Sequence, residues 1–131
     1  MPRILVVDDE PMLRRTVRAI LEREGHVVVE AEDGHQAVKR FTQEGFDLVI
    51  TDIVMPNREG VETIGDLRRL DPALPIIAIS GGGAAGPAAV DLFLQLADQL
   101  GAMRTLAKPI RQTELIEAVN DCLRRRDPPE P

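Results

Sequence analysis

Five short apolar runs, each followed by a longer stretch of helical period, constrain this chain more than any other feature. Strand then helix, five times over, is the pattern of a parallel sheet with crossover helices. The runs fall at residues 4–7, 27–31, 48–51, 76–80 and 104–107. Two of them, "DLVI" and "IIAI", show no polar alternation, so both faces of those strands should be covered and both should lie near the sheet centre. A first helix is expected from about Pro11, with Leu13, Val17, Ile20 and Leu21 on one stripe and Gly25 as its stop. A second starts near Gly34 with Ala37, Val38 and Phe41. A third starts near Gly60 with Val61, Ile64 and Leu67 and ends before the prolines of "DPALP". Another spans residues 87–100, and a last one begins near Arg111 with Leu115, Ile116, Val119 and Leu123 inward, closing on "RRR". A chain of 131 residues is one ordinary domain with room for a real core. That domain is expected over residues 1–126, with "DPPEP" at 127–131 a disordered tail.

Right-handed crossovers bring the C-terminal end of every parallel strand to one edge of the sheet, where ligands of open α/β folds bind. The residues just after each run therefore meet in space. After the first comes "DDE", Asp8, Asp9 and Glu10; after the third, Asp52 in "TDIVMP"; after the fourth, Ser80; after the fifth, "KP", Lys108 and Pro109. Singly each has an ordinary explanation: acids favour a helix start, Asp52 suits a turn, Ser80 is a loop hydroxyl and Lys108 a surface lysine. Jointly they do not. Carboxylates about 4 Å apart repel by roughly 1 kcal/mol in water and about 4 kcal/mol at an effective dielectric near 20, so converging acids call for a cation or a proton. A hard divalent ion such as magnesium accepts one or two carboxylates plus phosphate oxygens. A lysine beside it neutralises charge on a transferring phosphoryl group, and a serine hydroxyl can donate to one of its oxygens.

Charge and composition exclude other classes. With 22 acidic and 16 basic residues, net −6, the chain lacks the positive surface that holds a nucleic-acid backbone or an anionic membrane. No apolar run approaches the roughly 20 residues needed to span a bilayer, and "MPRILVVDDE" passes from Met1 into a strand without a signal-peptide cleavage region. A cytoplasmic protein is expected. Cys122, the single cysteine, falls on the apolar stripe of the last helix and reads as a packed thiol. His26 and His35 have no metal-ligand partners at helical spacing and read as surface residues, and Arg68 and Arg69 as a solvated face. The glycines of "SGGGAAGP" lack the Lys-Ser or Lys-Thr ending of a nucleotide loop.

From "ILVVDDEP" through "DLVITDIVMP" and "IIAIS" to "LAKP", nearly the whole chain resembles the receiver domains of two-component response regulators. The resemblance implies a doubly wound, flavodoxin-like five-stranded parallel sheet of order 2-1-3-4-5. It also implies magnesium-dependent phosphoryl transfer from the phosphohistidine of a sensor histidine kinase or a histidine phosphotransfer protein to Asp52. Asp9 would then ligate magnesium directly, Asp8 directly or through water, Asp52 by its carboxylate and Val54 by its backbone carbonyl. Lys108 would pair with the phosphoryl group and the acids, Ser80 would swing toward it, and the Lys108–Pro109 bond would be cis. With no switching aromatic in the chain, signalling would leave instead by a change in the loop after Ser80 and the helix at 87–100, where Leu94 either contacts a partner or only widens the apolar stripe.

Three departures from the family stand out. Thr105 occupies the place of the usual switching aromatic. Ser80 and Lys108 stand 28 positions apart against about 22 in a common receiver, the surplus falling in "GGGAAGPAA". Val54 and Gly82, at the two positions that tune dephosphorylation, cannot orient an attacking water, so a long-lived phosphoryl group is expected. A magnesium-dependent phosphatase using Asp52 as nucleophile would need a second aspartate two residues on, where Val54 stands. An interaction module that is never phosphorylated would have no use for all five site residues.

Overall fold

The computed structural model describes residues 1–53, 59–80, 95, 98–99 and 101–126. The first strand, β1 (Arg3–Val7), leads into α1 (Pro11–Arg23), followed by β2 (Val27–Ala31), α2 (Gly34–Glu44), β3 (Leu48–Asp52), α3 (Glu59–Leu70), β4 (Ile76–Ser80), β5 (Arg104–Ala107) and α4 (Gln112–Arg126). All strand pairs are parallel and the order is β2-β1-β3-β4-β5. The strand holding "DLVI" is the centre of the sheet and the one holding "IIAI" is interior, as their unbroken apolar character requires.

Period-two alternation divides the core between the two faces. Ile4, Val6, Leu48, Ile50, Ile77 and Ile79 face Val17 and Leu21 of α1 and Leu115, Ala118, Val119 and Cys122 of α4. Leu5, Val7, Val49 and Ile76 face Ala37 and Phe41 of α2 and Ile64 and Leu67 of α3. Among the described residues, α1 to α4 thus meet the sheet with the apolar stripes read from sequence, and Cys122 is fully buried. Local signals set the helix ends. Pro11 opens α1, the Asp33 carboxylate caps α2 by accepting from the Gln36 N–H at 2.8 Å, and Gly25 takes φ +90° just past α1.

The structure corrects the sequence reading in several places. The strand expected to stop at Thr51 continues through Asp52, which pairs with Ile79, so Asp52 projects from ordered sheet. β1 and α3 each begin one residue early, and α4 one residue late. His26 is half-buried, with Nδ1 shut from water and without a hydrogen-bond partner among the described residues; burial holds its pKa down. Arg68 is half-buried rather than freely solvated, because its guanidinium donates to three backbone carbonyls. Arg69 is exposed, as expected. Of the expected helix at 87–100 only Gln95, Asp98 and Gln99 are described, and all three are helical; its other residues, Leu94 among them, the loop from Gly81, the Val54 carbonyl, the side chains of Val61 and Ser80, and the tail at 127–131 lie outside the described residues.

Candidate phosphoacceptor site

The site is built from what each strand delivers to one edge. The Asp8 N–H donates to the Ala31 carbonyl at 3.2 Å, and the Asp8 carbonyl accepts from Arg14 Nη1 at 2.6 Å. Arg14 is in turn paired with Glu30 at 3.1 Å. The Asp8 Oδ1 atom accepts from the Glu10 N–H at 2.8 Å, closing the turn into α1. From β3 the Asp52 side chain comes up only 3 % exposed. Lys108 follows β5 directly, on the far side of β4 from Asp52.

Lys108 draws these groups together. Its Nζ donates to Asp52 Oδ2 at 3.0 Å and to Glu10 Oε1 at 3.2 Å, and it lies 3.4 Å from Asp8 Oδ2. Burial pushes the ammonium pKa down, but hydrogen bonds and charge from Asp52, with Asp8 and Glu10, outweigh it and hold the group above its ordinary value. Asp8 shows the opposite balance. Its carboxyl is pushed up to about 6, chiefly by burial and further by the Asp52 charge, against the pull of the Glu10 N–H and Lys108. One ammonium does not compensate this concentration of carboxylates.

The arrangement fits a hard cation. Carboxylate oxygens of Asp8, Asp9 and Glu10 lie within 4.8 Å of one another. Asp8 Oδ2 is buried and accepts no hydrogen bond among the described residues, its contact being the ion pair with Lys108. An all-oxygen donor set with a buried carboxylate oxygen engaged only by a 3.4 Å ion pair suits magnesium or calcium rather than a soft metal.

Sequence reasoning thus brought Asp8, Asp9, Asp52 and Lys108 to one edge, and the Lys108–Pro109 peptide is cis. Ser80 ends β4 opposite Ala107, at that same edge. Thr105 sits opposite Ala78 and is half-buried. Glu10, placed at this edge with the other acids but given no role of its own, bonds Lys108. The contact of Arg14 with Asp8 was not foreseen, although Arg14 is one helical turn after Glu10.

An edge that gathers acids from two strands and a lysine from a third, on a sheet of order 2-1-3-4-5, defines a class of signalling domain. Residues 4–120 match the response regulator receiver domain family, and the chain belongs to that family. It is similar to the chemotaxis protein CheY of Bacillus subtilis, 35% identical over 122 residues that cover 92% of this chain and 97% of that protein. It is also 30% identical over 125 residues to the transcriptional regulatory protein GlrR of Escherichia coli, covering 95% of this chain but 27% of that protein. The chain therefore spans nearly all of one kind of relative and about a quarter of the other. Among solved structures, a response regulator receiver domain protein from Clostridium thermocellum superposes with TM-score 0.84 at 29% identity, covering 96% of this chain and 97% of that one. Chemotaxis protein CheY4 of Vibrio cholerae gives 0.82 at 27% identity over 94% and 99%. The chain is a two-component signal-transduction domain, and no described helix is long and apolar enough to cross a membrane.

Proposed function

We propose that residues 1–126 accept a phosphoryl group on Asp52 from the phosphohistidine of a sensor histidine kinase or a histidine phosphotransfer protein. The observation that carries this reading is the Lys108 ammonium, 3.0 Å from Asp52 Oδ2 and 3.4 Å from Asp8 Oδ2. An Asp52 carboxylate oxygen attacks phosphorus, and the O–P bond forms as the P–N bond breaks, the electron pair leaving with the imidazole. Lys108, within hydrogen-bond reach of Asp52, would neutralise the incoming phosphoryl oxygens, and the Ser80 hydroxyl would swing to donate to one of them. Asp8, Asp9, Asp52 and the Val54 carbonyl would hold magnesium, which supplies charge neutralisation at the phosphoryl group.

The chain performs no turnover chemistry of its own beyond this transfer. It acts in the cytoplasm through a protein partner, by binding or onward phosphotransfer, without direct contact with nucleic acid or membrane. Incubation with a small acyl phosphate and magnesium, followed by intact mass measurement, tests the reading. One added phosphoryl group on the parent and none on Asp52→Ala is the expected outcome; an unchanged parent mass would leave only an interaction module.

A further inference from the structure

Arg68 occupies the last turn of α3 but works on the two strands beyond it. Its Nη1 donates to the carbonyls of Pro72 at 3.1 Å and Leu74 at 2.6 Å, and its Nη2 donates to the Gly101 carbonyl. Leu74 lies two residues before β4 and Gly101 three before β5, so one guanidinium bridges the entrances of neighbouring parallel strands. The planar, rigid fork of arginine suits this better than a point charge would. The fit at Gly101 is close: φ is +82°, and a Cβ there would meet Arg68 Nη2 at 3.2 Å.

What the bridge holds matters to the site. β5 has four residues and is the last strand in the sheet order, paired with β4 alone. A short edge strand is the least constrained element of a sheet, and a one-residue slip sends every side chain to the opposite face. The register Ile77↔Arg104 to Ser80↔Ala107 sets Lys108 one residue beyond the ladder, within reach of Asp52, which is itself held opposite Ile79.

We propose that Arg68 is a positioning residue for phosphoryl transfer: by tying the entrances of β4 and β5 together it fixes the register of the strand that brings Lys108 to Asp52. This rests on Lys108 and Asp52 acting together in that transfer. The test compares the parent with Arg68→Met and Arg68→Lys for the maximal rate of phosphorylation by a small acyl phosphate and for the magnesium concentration giving half that rate. Circular dichroism checks folding, and amide NMR follows Thr105 and Leu106. In folded Arg68→Met the maximal rate falls by up to about a hundredfold, the loss that a displacement of about 1 Å can cause. Half-saturating magnesium does not rise, since Asp8, Asp9 and Asp52 belong to β1 and β3 and their ends and a displaced Lys108 competes less for Asp8 Oδ2 and Asp52 Oδ2; Arg68→Lys, which keeps a donor, recovers part of the rate. A folded Arg68→Met that matches the parent, or one whose rate and magnesium response decline together as in general loosening, overturns the proposal. If Arg68→Met does not fold, Arg68→Lys carries the test, its rate falling below the parent's with displaced Thr105 and Leu106 amides; a parent-like rate overturns it. A parent that takes no phosphoryl group removes the underlying reading and this inference with it, whereas a phosphorylated parent matched by folded variants removes this inference alone.

Discussion

Lys108 Nζ donates to Asp52 Oδ2 over 3.0 Å, joining the end of β5 to the end of β3 across the intervening β4. Asp52 is almost fully buried and the lysine side chain is 19 % exposed, so this ammonium, which Asp8 and Glu10 share, offsets part of the cost of burying the Asp52 charge. Removing one member of a buried ion pair typically costs about 3–5 kcal/mol, because the other charge loses compensation for its burial. Lys108→Met should therefore lower stability by about 3 kcal/mol or more in urea unfolding with a chelator present. Adding Asp52→Asn should recover part of that loss, and a double-mutant cycle gives the coupling.

The Asp8 carboxyl makes stability depend on pH. Its folded pKa of about 6 lies above the ordinary 3.8, so the folded chain binds more protons than the unfolded chain between those values. This contribution is fully present below about 3.8 and is lost as pH rises through about 6, amounting to about 3 kcal/mol. Chelated parent minus Asp8→Asn, followed by urea midpoints between pH 4 and 7.5, should show that decline. Magnesium should oppose it, and its binding should weaken as pH falls below about 6, because the proton and the metal compete for the same oxygens.

Cys122 is fully buried between α4 and the sheet, and burial is the main force pushing its thiol pKa from 9.0 to about 11. At pH 8 that reduces the thiolate fraction about a hundredfold, before steric exclusion is counted. Labelling by a thiol reagent should follow unfolding of the chain, accelerating with urea in step with the loss of circular dichroism. Rapid labelling of the native chain at pH 8 would contradict the placement of α4.

The side chains at Val54 and Gly82 cannot orient water, so the aspartyl phosphate should persist well beyond seconds in magnesium buffer. Its decay, followed by intact mass, should quicken in Val54→Asn. Loss within seconds, indifferent to that substitution, would contradict the expectation.

Much of this was legible in sequence because parallel α/β folds write their plan twice. Unbroken apolar runs such as "IIAI" marked the interior strands, and the topology alone sent Asp8, Asp52 and Lys108 to one edge. What stayed hidden depends on side-chain reach. Arg68 looks like any arginine on the polar face of a helix, and only its long stem, folded over the helix end, finds Leu74 and Gly101. His26 follows a helix-ending glycine, a place that reads as surface until packing half-covers it. The extension of β3 through Asp52 was missed because an aspartate normally ends a strand; here Lys108 compensates its burial.

The central claim is that the phosphoryl group lands on the carboxylate held by Lys108. Borohydride reduction of the phosphorylated chain, followed by peptide mass mapping, locates it. Homoserine at position 52, dependent on magnesium and on prior exposure to the phosphodonor, is the predicted result; reduction at any other carboxylate, or at none in a chain that has gained phosphoryl mass, would contradict it.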